Sequence, residues 1–256
     1  MQRTFTEAFD LSDELVLITG GGTGLGFGMA QCLIEVGASV VIVGRRERVL
    51  QDAVSQLGDA ACYRVHDVTD LAAANALTTS LERDIGPITT LINNAGHIVK
   101  HPIEETSDEE FELLLKTHVT ASFALSKAVI PSMKAAKRGH ILFTASMASL
   151  FGLPNVIAYA AAKSGFLGMV RSMATELSQD GIRVNAIAPG WIESELLLKT
   201  VEADPARKQR VLSRTPMGKF GQAEDIGWAA VYLCSPAANF ITGACLPVDG
   251  GISIGF

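Results

Sequence analysis

Cysteine motifs and long apolar runs are both scarce in this sequence. Its four cysteines stand in apolar segments, with no CxxC motif and no cysteine–histidine spacing of the kind that binds metal. We therefore expect buried thiols in a reducing compartment and no metal ion. No run of about 18 apolar residues occurs, and the N-terminus carries acidic residues where a signal peptide would be apolar. These absences predict a cytoplasmic protein that does not enter a membrane.

Positive charge is limited as well, because the chain carries a formal net charge of -6. Binding to nucleic acid relies on clustered lysine and arginine side chains. The short basic run GRRER is interrupted by Glu47. We therefore expect no nucleic-acid partner, and a small molecule as substrate.

The sequence also lacks internal repeats, low-complexity tracts and Pro- or Ser-rich linkers. A chain of 256 residues, 48% of them hydrophobic, can bury a core of its own. The sequence therefore predicts a single domain over residues 1–256.

What the sequence does contain is a regular alternation of short β-branched runs with longer segments of helical period. Six runs predict strands: ELVLITG, ASVVIVG, ACYRVHD, ITTLINNAG, RGHILFTAS and GIRVNAIAPG. Gly37, Gly58 and Gly86 close the first helical segments, and GACLPVDGG predicts an edge strand. The alternation predicts an α/β fold, a doubly wound parallel sheet of about seven strands with helices on both faces. Residues 193–221 interrupt it with charged helical material, long enough to cover a site.

A glycine-rich turn, TGGGTGLG, follows the first predicted strand. Glycines let the backbone approach a pyrophosphate at a helix N-terminus, where free N–H groups and the helix dipole favour negative charge. The candidate contacts to a dinucleotide in this turn are Gly20, Thr23, Gly24, Leu25 and Gly26. A tight turn that serves packing alone is the alternative.

The end of the second strand bears on the choice of cofactor. NAD-binding folds usually place an acidic residue there for the ribose hydroxyls, but here Gly44 is followed by Arg45 and Arg46. A 2'-phosphate would meet positive charge, so NADP(H) is favoured and NAD(H) remains possible. Two solvated arginines opening a helix are the alternative. Further candidates follow the third and fourth strands: Asp67 and Val68 for the adenine, and Asn94, Ala95 and Gly96 of NNAG for the ribose.

The stretch AYAAAKSG places Tyr159 one helical turn before Lys163. Tyrosine has a pKa of about 10 and needs a nearby cation to serve as an acid or base at neutral pH. The Lys163 ammonium and the positive nicotinamide of an oxidised cofactor could lower that pKa by about three units, which takes about 4 kcal/mol. Ser146, after the fifth strand, could hold the substrate oxygen while Tyr159 transfers the proton. A packed tyrosine beside a snorkelling lysine is the alternative.

Together these motifs resemble the short-chain dehydrogenase/reductase family, with its Rossmann fold. The motifs appear in the family's order, as TGGGTGLG, NNAG, Ser146, YAAAK and APG, and the resemblance covers nearly the whole chain. It implies that Tyr159 is the general acid/base, that Lys163 lowers the pKa of Tyr159 and holds the nicotinamide ribose, and that Ser146 orients the carbonyl. It also implies cofactor contacts from the PG turn and the residues after it: Pro189, Gly190, Ile192 and Ser194.

One position departs from the family pattern. THVTASF carries His118 where family members usually have a catalytic asparagine, and no asparagine lies between Asn94 and Asn155 to replace it. In the family this residue's main-chain carbonyl supports a proton relay from the lysine. His118 could keep that relay or add a group that titrates near neutrality. A histidine that only packs and bonds locally is the alternative.

The substrate is indicated by resemblance alone. NNAGHIVKHPIEE, ASMAS and residues 214–243 resemble gluconate 5-dehydrogenases and deoxygluconate dehydrogenases, which implies a keto-sugar acid whose carboxylate could meet Lys100, His101 or Lys199. A 3-ketoacyl-carrier-protein reductase is the nearest rival; Thr175 stands where those enzymes tend to carry arginine. A non-catalytic NADP(H)-sensing protein is the alternative from another class. The resemblance also implies a homotetramer.

Overall fold

A parallel sheet forms the centre of the molecule. The computed structural model describes residues 3–194, 197 and 204–255, and these contain seven strands. They are β1 (Leu15–Thr19), β2 (Ser39–Gly44), β3 (Ala61–Val65), β4 (Thr90–Asn93), β5 (Gly139–Thr144), β6 (Ile182–Pro189) and β7 (Cys245–Val248). The sheet order is β3-β2-β1-β4-β5-β6-β7, and every neighbouring pair is parallel. The predicted strands, including the edge strand β7, are confirmed.

Helices cover both faces of this sheet. Within the described residues they are α1 (Phe5–Phe9), α2 (Gly24–Glu35), α3 (Glu47–Leu57), α4 (Ala74–Asp84), α5 (Asp108–Leu115), α6 (Ala121–Ala136), α7 (Ile157–Leu177), α8 (Pro205–Ser213) and α9 (Ala223–Cys234). One π-helical turn, Lys116–Thr120, joins α5 to α6. Single 3₁₀ turns lie at Leu71–Ala73, Ile103–Glu105, Met147–Ser149, Ser178–Asp180 and Pro236–Ala238. The predicted helix ends at Gly37, Gly58 and Gly86 lie within two residues of the ends of α2, α3 and α4.

Burial on two sides explains the composition of the central strands. All side chains of β1, β4 and β6 are buried, as expected for strands with a helical layer on each face. On one face α4, α6 and α7 contribute Leu81, Leu125 and Phe166 to the core. On the other face α2 and α9 contribute Met29 and Ile226. Each such side chain stabilises the fold by about 1.5–3 kcal/mol, and the predicted Rossmann architecture is confirmed.

The burial of each cysteine depends on its place in these layers. All four are free; Cys32 on α2 and Cys234 on α9 are buried, whereas Cys62 and Cys245 are only half-buried. The prediction of four buried thiols is therefore wrong for two of them, because β3 and β7 are the edge strands and each lacks a neighbour on one side. Burial raises the pKa of the Cys234 thiol to about 12 and that of the Cys245 thiol to about 11, so both are poor nucleophiles at neutral pH.

The long helical segment Asp108–Ala136 differs from the expectation that nothing in the chain could span a bilayer. Among the described residues it is long and apolar enough, by length and composition, to cross a membrane. Its buried residues include Leu114, Leu125, Val129 and Met133, and the last three belong to the core that covers the sheet. A core helix passes the same two criteria, so this is weak evidence for a membrane span.

The predicted insert at 193–221 is described only in part. Its helix α8 carries Val211, which forms a small apolar cluster with Phe220 and Trp191. Residues 195, 196 and 198–203, including Lys199, lie outside the described residues. A covering role for the insert stays a prediction.

Candidate active site

The sheet brings the sequence motifs to one edge. The glycine-rich turn follows β1, NNAG closes β4, Ser146 follows β5 and the PG turn closes β6. These four strands are adjacent and parallel, so their carboxyl ends meet, which is where doubly wound sheets bind ligands.

A set of hydrogen bonds ties the glycine-rich turn to the NNAG turn. The Thr19 hydroxyl accepts the main-chain N–H groups of Asn94 and Ala95, each at 3.0 Å. In return the Asn94 side-chain amide donates to the carbonyls of Thr19 at 3.0 Å and Gly20 at 3.2 Å. The neighbouring Asn93 amide is buried and donates to Ser126. The Asn94 amide therefore braces two turns, and the placing of a cofactor ribose beside NNAG stays a prediction.

The N-terminus of α2 suits a phosphate group. Thr23 precedes the helix without making a side-chain cap, so the first-turn N–H groups, including those of Leu25 and Gly26, lack a partner from it. Gly24 has φ +54 and open space where a Cβ would stand, whereas a Cβ on Gly26 would come within 2.3 Å of the Gly20 carbonyl oxygen. Amides without a side-chain cap at a positive dipole end, beside a glycine-rich turn, fit the pyrophosphate of a dinucleotide.

The predicted adenosine end lies beside this turn. Arg45 and Arg46 are exposed at the end of β2, and the Arg45 guanidinium is 3.9 Å from the Asp67 carboxylate. Hydrogen bonds from the Thr69 N–H and hydroxyl hold the pKa of Asp67 below its usual range, so it is a carboxylate at neutral pH. Val68, next to it, is half-buried. The structure thus brings Arg45 and Asp67 together. Arg45 is the candidate contact to a 2'-phosphate, and Asp67 is the candidate contact to the adenine of the same cofactor.

Ser146, Tyr159 and Lys163 also come together. Ser146 is buried, accepts the N–H of Ala148 at 3.1 Å and lies near enough to Tyr159, in the first turn of α7, to lower the pKa of its phenol. The buried Lys163 ammonium donates to the Thr144 carbonyl at 2.6 Å and lies 5.6 Å from the centre of the Tyr159 ring. The predicted triad is therefore assembled, with Thr144 as a lysine anchor that sequence reasoning missed.

Burial shifts the pKa values of both Tyr159 and Lys163. Burial raises the pKa of Tyr159, although the Ser146 hydrogen bond works in the opposite direction. Burial also lowers the pKa of Lys163 to about 7. Lys163 is itself desolvated and bonded to Thr144, so it does not offset the effect of burial on Tyr159 in the chain alone. A lowering of the Tyr159 pKa by Lys163 together with an oxidised cofactor stays a prediction.

His118 lies within the π-helical turn and is 1% exposed. Its Nε2 is 2.8 Å from the His97 carbonyl oxygen, whereas Nδ1 has no hydrogen-bond partner among the described groups. Its ring meets the Tyr159 ring edge-on, with 5.6 Å between centres. Burial, aided by the charge of Lys163, lowers the pKa of His118 to about 3. The prediction that His118 could add a group that titrates near neutrality is therefore wrong. Its part in a proton relay from Lys163 stays a prediction.

The remaining predicted residues lie at the same edge or just beyond it. Pro189 ends β6 and Gly190 donates to the Val248 carbonyl at 3.0 Å. Ile192 forms a parallel bridge to Gly221, and the exposed Ser194 accepts the N–H of Leu197 at 3.1 Å. Their contact with a nicotinamide stays a prediction.

One surface cavity lies beside the catalytic cleft and is not lined by Tyr159 or Lys163. It measures about 520 Å³ and is lined by residues 148–153 and by a face of α7 that carries Ala160, Ala161 and Ser164. His101 also lines it, and its Nε2 is 3.4 Å from a Glu110 carboxylate oxygen. His101 is thus paired within the protein, in contrast to its predicted contact with a substrate carboxylate.

Comparisons with known proteins agree with this geometry. A family model described as enoyl-(acyl carrier protein) reductase matches residues 20–253. Gluconate 5-dehydrogenase of Gluconobacter oxydans is 37% identical over 97% of this chain and 98% of its own length. An inactive 2-(S)-hydroxypropyl-CoM dehydrogenase of Xanthobacter autotrophicus is 38% identical over 88% of this chain and 99% of its own. The crystal structure of a Burkholderia cenocepacia gluconate 5-dehydrogenase in complex with NADP and tartrate covers 99% of this chain and 100% of its own, with a TM-score of 0.94 and 31% identity.

The chain therefore belongs to the short-chain dehydrogenase/reductase family of oxidoreductases.

Proposed function

We propose that the protein is an NADP(H)-dependent oxidoreductase that interconverts a ketone and a secondary alcohol, with a keto-sugar acid as substrate. The observation that carries this proposal is the placement of Tyr159 beside both Ser146 and a buried Lys163 at the carboxyl ends of β4 and β5. A binding protein has no use for this arrangement.

The protein's own groups act on the substrate oxygen. The Ser146 and Tyr159 hydroxyls lie near each other, so one carbonyl oxygen could accept hydrogen bonds from both. Reduction takes a proton from the Tyr159 phenol, and the cofactor supplies the hydride. Thr144 fixes the Lys163 ammonium beside Tyr159, where its charge stabilises the phenolate that remains.

The cofactor assignment rests on the end of β2. Gly44 carries no carboxylate that would repel a 2'-phosphate, and Arg45 and Arg46 are exposed there as positive partners. The Burkholderia relative was crystallised with NADP. NADP(H) is thus the preferred cofactor.

The keto-sugar acid rests on the relatives. Two of the similar proteins are gluconate 5-dehydrogenases, and one was crystallised with tartrate, a small dicarboxylate. Lys100, exposed after the NNAG turn, stays a candidate for the carboxylate.

The test is the loss of NADPH absorbance, with NADH in parallel, on a panel of keto-sugar acids, simple ketones and a ketoacyl thioester. We expect turnover of a keto-sugar acid with at least tenfold higher kcat/KM for NADPH, about 1.4 kcal/mol of preference. Preference for NADH would contradict the role of Arg45 and Arg46. Turnover of the thioester alone would identify a ketoacyl reductase, and tight NADPH binding without turnover would identify a sensor.

We also propose that the protein is a cytoplasmic homotetramer. Its long helices expose large apolar side chains: Leu113 is 49% and Phe123 is 53% exposed, and Ile157 at the start of α7 is 42% exposed. Large apolar side chains exposed in this way are consistent with interfaces between subunits. Multi-angle light scattering at micromolar concentration is expected to give four times the chain mass of 27.1 kDa, and a monomer would contradict the proposal.

A further inference from the structure

His97 lies at the edge of the sheet where the candidate catalytic residues meet. It is the first residue beyond the NNAG turn, and β4, which that turn closes, pairs directly with the strand that leads to Ser146. The residue is exposed, whereas Asn93, Ser146 and Lys163 nearby are buried. His97 is therefore an exposed residue at the sheet edge that carries the catalytic groups.

The main chain of His97 is held by a buried side chain. His118 Nε2 lies 2.8 Å from the His97 carbonyl oxygen and 3.3 Å from its main-chain nitrogen. One ring nitrogen cannot donate and accept at once, so the shorter contact assigns the proton to Nε2. Gly96 permits this approach, because a Cβ there would stand 2.0 Å from His118 Cε1. His97 is thus anchored through its backbone while its ring stays accessible.

Ring contacts link His97 to the catalytic tyrosine. The His97 ring centre is 6.2 Å from that of His118, which lies 5.6 Å from that of Tyr159. Within the described part of the chain, the His97 side chain makes no hydrogen bond or ion pair. His101, by contrast, is paired with Glu110 and lines the separate cavity.

An imidazole offers at least one N–H donor in either protonation state. We propose that His97 is a specificity-determining residue that binds the carboxylate of the substrate, at the end away from the reacting carbonyl. This inference rests on the proposed function, which it deepens by assigning the residue that distinguishes a keto-acid from a neutral ketone. His118 positions His97 for this contact.

The test compares His97→Ala with His101→Ala as the matched control, on 5-ketogluconate and on its neutral primary amide. Because His118 contacts main-chain atoms of His97, removal of the His97 side chain leaves these contacts in place. For His97→Ala we expect KM for the acid to rise about 10- to 100-fold with kcat changed less than about threefold. KM for the amide stays unchanged, and His101→Ala behaves as wild type on both substrates.

The proposal is overturned if His97→Ala leaves KM for the acid unchanged, if acid and amide shift equally, or if His101→Ala gives the same loss. A wild-type protein that reduces no ketone would refute the proposed function instead. In that event calorimetric titration of gluconate into the NADP⁺ complex decides the role of His97. At least about tenfold weaker binding to His97→Ala sustains it, and equal binding or no binding overturns it.

Discussion

Tyr159→Phe is expected to lower kcat by about 10²- to 10⁴-fold while NADPH binds as in wild type, since general acid/base groups contribute about that much. The substitution keeps the ring, and with it the edge contact to His118, but removes the hydroxyl that lies near Ser146. The variant thus loses the proton donor without losing packing. Single-turnover absorbance measurements with saturating NADPH would give the rate, and fluorescence titration would give the NADPH affinity.

Tyr63→Phe is the matched control. The Tyr63 hydroxyl bonds to Glu47 and Gln51, both on α3, so its loss leaves the cleft untouched. We expect wild-type turnover from this variant. If Tyr159→Phe retained more than about a tenth of wild-type kcat, the phenol would not be the proton donor, and the sensor or a different reaction would have to be considered.

The second large expected effect is a loss of folding stability at acid pH that arises from His118. Its pKa is 6.5 in the unfolded chain and about 3 in the fold, so below about pH 6.5 only the unfolded state takes up the proton. His118 therefore contributes stability that is complete above 6.5 and declines as the pH falls toward 3. At about pH 5 the loss is about 2 kcal/mol, from about 1.36 kcal/mol per unit. The groups that face the ring are Lys163 and Tyr159 on α7 and His97 in the loop after β4.

Urea unfolding at about pH 7 and about pH 5 would measure this effect. In His118→Asn the drop in the free energy of unfolding between the two pH values is expected to be about 2 kcal/mol smaller than in wild type. A residual drop remains in both proteins, because burial also lowers the pKa of His140 to about 4. His101→Asn, at an exposed ion pair, serves as control and should keep the wild-type drop. Equal drops in wild type and His118→Asn would show that the imidazole is not buried in its neutral form.

Local pattern was sufficient to predict the sheet and the triad. Ser146 follows a strand and Tyr159 opens a helix, and the four-residue spacing to Lys163 places both side chains on one helix face. Strand ends in a parallel sheet must meet, so the order of the motifs implied their proximity.

The contacts that the sequence did not disclose all depend on tertiary packing. The Lys163 ammonium bonds to the Thr144 carbonyl, and His118 bonds to the His97 carbonyl. Both acceptors are main-chain atoms, which every residue type has. Main-chain acceptors leave no mark in a sequence. The effect of burial on the pKa of Tyr159 could not be read from the sequence for the same reason, since the depth of burial is set by tertiary packing.

The central place of β1 in the sheet has a consequence for synthesis of the chain. Its five buried residues pair on one side with β2, but the partner on the other side, β4, lies much later in sequence, with Val16 opposite Thr90. At translation rates of about 5–20 residues per second, that edge waits roughly 4 to 15 s for its partner. During this interval the nascent chain exposes an unpaired apolar strand, the kind of edge that chaperones shield and that other chains can join.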